Sequence, residues 1–176
     1  MTEIEVLRGS LLEQDVDFIV NAANTLMRGG GGIDGAIHQR AGHKLLLELQ
    51  RVAPKGCETG EVVVTAAHEL PHKGIIHTPG PIWRGGGSNE AVLLANCYRN
   101  SLIAAHSRNA ESIGFCSIST GVYGFPIDEA ASIALDTIKE WLSLNPSTTL
   151  RRIVFAMRGE PEFLAFEQAL KDMSGN

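Results

Sequence analysis

Four polar side chains stand close together early in this 176-residue chain: Asn21 and Asn24 end an apolar run, and Asp34 and His38 follow the four glycines at 29–32. An aspartate can orient a water molecule or take its proton, and amides can hold hydroxyl groups. A histidine one helical turn beyond Asp34 shares its helix face and can support it. The same residues have ordinary structural uses: asparagines favour turns, and an aspartate after a glycine run serves as a helix cap with the histidine as its partner. A second segment, Ser119, Thr120, Gly121, Val122, Tyr123 and Gly124, also lies between a strand-like run and a helix-like one. Backbone N–H groups at such strand-to-helix loops bind anions, and glycine lets the backbone come close. A hydrogen bond to a charged group contributes roughly 1.5–3 kcal/mol, against about 0.3–1 kcal/mol for the helix dipole, so several N–H donors outweigh the dipole.

Other constellations are weaker. Gly30-x-Gly32-x-x-Gly35 has the form of a dinucleotide fingerprint, but it lies about ten residues past the strand end and no acidic residue closes a following strand. The GxxxxGK[ST] phosphate loop is absent. His68 and His72 are four apart with Pro71 between them and no third ligand near, so no metal site is expected. His77, beside a buried run and a proline turn, reads as a structural histidine, and Cys116 as a small core residue. Cys57, Cys97 and Cys116 are odd in number, widely spaced and without a CxxC pair, which disfavours a disulfide framework and favours a reducing compartment.

The elements that must position these groups alternate. Strands are expected at residues 4–7, 17–20, 61–65, 74–77, 113–119 and 152–157, those at 61–65 and 74–77 buried and the latter stopped by Pro79 and Pro81. Apolar residues recur at helical spacing from Asp34 to Leu49 with a break at Gly42, predicting one helix or two abutting ones. Further helices are expected after Ser88 as N-cap, from Ile127 to Leu142, and over 161–173, with 174–176 frayed. This order predicts an α/β fold, a three-layer α/β/α sandwich around a mixed, mostly parallel sheet, as one domain over 1–176.

The composition, 44% hydrophobic, 20% charged and 6% aromatic, is that of a globular domain large enough to bury a core without disulfides. A net charge of −5 disfavours sequence-independent nucleic-acid binding and leaves a small anion to be held by local donors. No apolar stretch is long enough to span a bilayer, so no membrane partner is expected. Glu3, Glu5, Glu13, Asp15 and Asp17 occupy the region where a signal peptide would be basic and apolar, so a cytoplasmic address is expected.

Five strings appear in order: IVNAAN (19–24), GGGGIDGAIH (29–38), TGEVVVT (59–65), IIHTPGP (75–81) and ISTGVYGFP (118–126). Together they resemble a macrodomain of the MacroD type, the group that includes bacterial O-acetyl-ADP-ribose deacetylases, across essentially the whole chain. The resemblance implies an ADP-ribose cleft above the sheet. Gly31, Gly32, Ile33 and Ser119, Thr120, Gly121, Val122, Tyr123 and Gly124 would wrap the diphosphate, with Tyr123 also covering the distal ribose. Asn21, Asn24 and Asp34 would approach that ribose as the catalytic set, with His38 supporting the aspartate. It further implies hydrolysis of O-acetyl-ADP-ribose and of mono-ADP-ribose esters on protein Asp or Glu, with no metal or redox cofactor; a non-catalytic ADP-ribose reader is the alternative. At the adenine end the family usually has Gly-Asp-Ile where this chain has Gly9-Ser10-Leu11, and an aromatic residue where it has Arg158 after Met157. Arginine can stack on a base in its place.

Overall fold

The computed structural model describes residues 1–175. Among them run six strands, β1 (Glu3–Arg8), β2 (Phe18–Ala23), β3 (Val63–Thr65), β4 (Gly74–Pro79), β5 (Ser112–Phe115) and β6 (Arg152–Met157). Five α-helices accompany them: α1 (Gly32–Ala41), α2 (His43–Val52), α3 (Glu90–Ser107), α4 (Ile127–Leu144) and α5 (Glu160–Ser174). The sheet order is β1-β6-β5-β2-β4-β3. Every neighbouring pair is parallel except β3 with β4, so the sheet is mixed and mostly parallel.

The centre of the sheet explains itself from composition. All six residues of β4 (GIIHTP) and nearly all of β2 (FIVNAA) are buried, as expected of parallel strands covered on both faces. Register sorts their side chains. Asn21 lies opposite His77, and both face α1. The opposite face carries an aromatic core: Phe115 stacks on Phe155 at 5.3 Å, Phe155 meets Phe166 of α5 at 5.3 Å, and Tyr98 of α3 meets Phe115 at 5.2 Å. Helices α3, α4 and α5 pack serially over that face, and α1 packs with α2 over the other, giving three layers.

Several boundaries differ from the sequence expectation. β2 continues through Asn21 and Ala22 to Ala23, because these residues keep pairing with His77, Thr78 and Pro79. The strand expected at 61–65 is a short, half-buried edge strand, Val63–Thr65, and not a buried one. β5 stops at Phe115, and the expected strand to Ser119 instead leaves the sheet as the start of a loop. A left-handed backbone at Gly42 (φ 91°) separates α1 from α2. Ser88 is not the cap of α3. Asn89 holds that place in a left-handed conformation (φ 63°), and the buried Glu90 carboxylate accepts the N–H groups of Arg84, Gly86 and Ser88 at 2.8, 3.0 and 2.6 Å. Of the frayed end expected at 174–176, Ser174 closes α5 with Gly175 as its cap, and Asn176 lies outside the described residues. Among the described residues no helix is long and apolar enough to cross a membrane.

Candidate active site

Beyond the carboxyl ends of β2, β5 and β6 a cleft runs between α1 and the loop after β5, the place where parallel α/β sheets bind ligands. One cavity, of about 400 Å³, is lined by Asn24, Gly30, Gly31, Gly32, Ile33, Asp34, Gly80, Ser117, Ser119, Gly121, Val122 and Tyr123, along with Ala22 and Ala23. A second, of about 340 Å³, is lined by Leu11, Cys116, Ala156, Met157, Arg158, Gly159 and Glu162 and shares Ile33, Ser117, Thr120 and Gly121 with the loop region. Ile33, Ser117 and Gly121 belong to both, so the two cavities are chambers of one cleft with a waist between the loops.

The waist is built from backbone. Gly31 precedes α1 as its N-cap and offers no side-chain cap. The N–H groups of Gly32, Ile33 and Asp34, in the first turn, have no intrahelical acceptor, and all three residues line the cavity. Gly35 makes the close return of this loop practicable, since a Cβ there would sit 2.6 Å from the Gly30 carbonyl oxygen. The opposing loop is pinned at both ends. Ile118 donates its N–H to the Tyr98 hydroxyl at 3.3 Å, and Phe125 donates to the Ser119 carbonyl at 2.9 Å. Trp83 donates its backbone N–H to the Tyr123 carbonyl at 2.8 Å and packs on Phe125 at 4.8 Å. Ser119 is held at φ 70°, a conformation that costs a non-glycine residue roughly 1–3 kcal/mol. Its buried hydroxyl has no partner among the described residues, and only the missing side chain of Gly80 leaves room for it.

At one end of the cleft stands Asp34, 5% exposed. Its carboxylate does not cap α1; Oδ1 accepts from Asn21 Nδ2 at 2.7 Å and lies 3.4 Å from His38 Nε2, longer than a good hydrogen bond. Burial pushes this carboxyl up from its ordinary value, while the Asn21 hydrogen bond and the His38 charge pull it down. Asn21 is fully buried and absent from the cavity lining, so the structure corrects the expectation that its amide reaches a ribose: it holds Asp34 from behind. Asn24 does line the cleft, but its side chain also braces the glycine loop, donating to the Gly29 carbonyl at 3.0 Å and accepting from Leu26 N–H at 3.1 Å. His38 stands behind Asp34, against the face of Gly29.

At the other end Leu11 and Arg158 line the cavity, whereas Ser10 does not. The Ser10 hydroxyl accepts from Leu12 N–H at 3.3 Å and caps the short 3-10 turn Leu11–Glu13. Gly80, Ser117 and Glu162 line the cleft without having been singled out by sequence; the glycine between two prolines at 79–81 was a signal of close approach. The remaining titratable candidates are occupied elsewhere: His68 pairs with Glu48 at 2.7 Å, and His72 with the Gln14 carbonyl at 2.9 Å. Burial raises the thiols of Cys57, Cys97 and Cys116 to about 11, which disfavours the thiolate.

Comparison with known proteins agrees with this geometry. The chain is 43% identical over 169 residues to an O-acetyl-ADP-ribose deacetylase of Cronobacter sakazakii, covering 95% of this chain and 93% of that one. It is 43% identical over 167 residues to a macro domain-containing protein of Chlorobaculum tepidum, covering 95% of each. Among solved structures, a mutant Oceanobacillus iheyensis macrodomain with ADPR superposes with a TM-score of 0.93 at 39% identity, covering 99% of this chain and 95% of that one. The Trypanosoma brucei macrodomain in complex with ADP-ribose gives 0.87 at 40% identity, covering 95% and 68%. The family model of the Macro domain matches residues 20–134, which include both cleft loops and the Asp34 cluster, and the chain belongs to the macrodomain family.

Proposed function

We propose that this protein binds ADP-ribose along the cleft and hydrolyses esters of its distal ribose, acting on O-acetyl-ADP-ribose and on mono-ADP-ribose attached to Asp or Glu side chains. The observation that carries the reading is Asp34: a buried carboxylate held through Oδ1 by the Asn21 amide, with His38 3.4 Å away on the same side, at the end of a cleft whose waist is lined by backbone donors. A protein that only reads ADP-ribose needs the waist and not this carboxylate. The diphosphate would lie between the α1 N-terminus and the loop of Ser119, Thr120, Gly121, Val122, Tyr123 and Gly124, with adenosine toward Leu11 and Arg158. Tyr123 would cover the distal ribose with its ring.

Ester hydrolysis needs an oriented water, an acceptor for its proton and stabilisation of the carbonyl oxyanion. With Oδ1 committed, Oδ2 of Asp34 is the oxygen that holds the water and takes its proton. Burial that raises its affinity for a proton makes it a better base than an exposed aspartate. The hydroxide adds to the ester carbonyl, the tetrahedral intermediate collapses, and the proton returns to the departing ribose oxygen. No protein nucleophile takes part.

The test pairs binding with turnover. A hundredfold excess of ADP-ribose over its Kd should add about 2.7 kcal/mol of stability, seen as a rise in Tm. Purified protein should release ADP-ribose from both substrates, and Asp34→Ala should lower kcat by about a hundredfold or more. A thermal shift without turnover would identify a reader; no loss in Asp34→Ala would remove the carboxylate from the chemistry.

A further inference from the structure

Behind Asp34 the polar chain does not end. Asn21 Nδ2 donates one hydrogen to Asp34 Oδ1 at 2.7 Å and the other to His77 Nδ1 at 3.1 Å. His77 Nδ1 must therefore be an acceptor, which places the imidazole proton on Nε2, 2.9 Å from Thr65 Oγ1. Thr65 in turn donates its hydroxyl proton to the Ala66 carbonyl at 3.0 Å. Each proton has one assignment, and the chain runs from the edge strand β3 through β4 and β2 to α1. Asn21, Thr65 and His77 are 0%, 4% and 0% exposed, so water does not compete for these bonds.

We propose that His77, with Thr65 behind it, is a positioning residue for Asp34: it locks the Asn21 amide with its N–H groups toward the carboxylate. Without that lock the amide has an alternative. Rotation by half a turn would present Asn21 Oδ1, which has no partner among the described residues, to the carboxylate, and the interaction would become repulsive. A neutral imidazole in one tautomer prevents this. Burial and the His38 charge keep it neutral, pushing it down to about 3. The charged and titratable groups around it are Asp34 and His38 of α1, and neither touches it directly in the hydrogen-bond chain. A residue needed only to fill the core at this place would be an aliphatic one, as at Ile75 and Ile76 of the same strand.

This inference deepens the hydrolase reading and rests on it for its kinetic consequence, while its physical content is measurable without turnover. In protein labelled at histidine nitrogens and aspartate carboxyls, NMR should show His77 as the Nε2–H tautomer. In His77→Leu the Asp34 carboxyl should titrate upward by about one pH unit, because it loses a fixed donor to its charged form. Thr65→Val, a near-isosteric change on the edge strand, should disturb the His77 tautomer and move Asp34 in the same direction by less, and it serves if His77→Leu does not fold. His77→Gln, which can accept from Asn21 and donate to Thr65, should restore the wild-type Asp34 titration. In enzyme assays, kcat should fall about tenfold or more in His77→Leu with the Kd for ADP-ribose unchanged, and His77→Gln should recover it. An Asp34 titration identical in wild type, His77→Leu and Thr65→Val would overturn the proposal. Movement of that titration in a protein that turns over neither substrate would uphold the positioning role and discard the hydrolase.

Discussion

Replacing Gly35 with alanine sets two physical effects of opposite sign against each other. Gly35 lies in α1, where alanine is favoured over glycine by about 1 kcal/mol. Propensity alone therefore predicts a more stable protein. Against this, the new Cβ would sit 2.6 Å from the Gly30 carbonyl oxygen, short of the 3.4 Å at which ordinary contact begins, and the obstacle is backbone that cannot swing aside. Either the first turn of α1 or the glycine loop must move by most of an ångström. Overpacking of this kind costs about 1–3 kcal/mol, so the net change is a loss of up to about 2 kcal/mol. In a domain of this size that lowers Tm by up to roughly 4–8 °C. Binding should suffer more than stability. The displaced loop carries the N–H donors of Gly32 and Ile33, and each hydrogen bond to a charged group is worth roughly 1.5–3 kcal/mol, so ADP-ribose affinity should drop about tenfold to hundredfold. Thermal unfolding and titration calorimetry on Gly35→Ala measure both. A higher Tm with unchanged affinity would refute the claim that close backbone approach shapes the waist.

Three further outcomes are expected. Ser10→Asp should tighten ADP-ribose binding by about tenfold to hundredfold, because aspartate caps the 3-10 turn as well as serine does and adds a charged acceptor at the base end; calorimetry showing no gain would count against it. Acid should destabilise the protein through His77. The unfolded chain takes up a proton near about 6.5 that the folded imidazole refuses until about 3, so stability rises with pH by up to about 1.4 kcal/mol per unit in that window, is fully present above it and is lost below it. Asp34, raised from its ordinary value, acts with the opposite sign at the lower end, so the fall is clearest in the upper half, and urea unfolding of His77→Gln should be less pH-sensitive there. Glu90→Gln should lower Tm and speed proteolysis within 84–88, since three backbone N–H groups hold that carboxyl down at about 2 and the amide is a weaker acceptor; equal cleavage rates would contradict this.

What could be read in the amino-acid order differs from what could not for physical reasons. The apolar spacing of α4 and the break at Gly42 are local properties, and the helices follow them. The two cleft loops were legible because glycine is needed where backbone approaches backbone, as at Gly35. The role of Asn21 was not. A polar residue at a strand end points to one face or the other according to register, and only the pairing of Asn21 with His77 turns its amide toward α1 and away from the cleft lining. His77 and Thr65 lay inside the quoted strings, yet their partnership joins residues 12 apart in sequence to one 56 away. Ser119 in a left-handed conformation could not be foreseen, because nothing local favours it there; Tyr98, Phe125 and Gly80 impose it from outside.

The ordinary structural use of Asp34 is where the enzyme and reader interpretations part. An aspartate that served α1 would turn its carboxylate back to the free N–H groups of the first turn, gaining about 1 kcal/mol as a cap. Here the helix keeps no side-chain cap, the donors stay open, and the carboxylate is buried instead against an amide and a histidine. Both choices forgo local stability: burying a carboxylate raises its energy, and apolar residues in place of the Asn21, Asp34 and His77 cluster would serve folding as well or better. Both concern groups at one end of a single cleft. An arrangement that gives the first turn no side-chain cap while holding a carboxylate oxygen in one orientation beside it forgoes local stability, and the hydrolase proposed above gives that sacrifice a use.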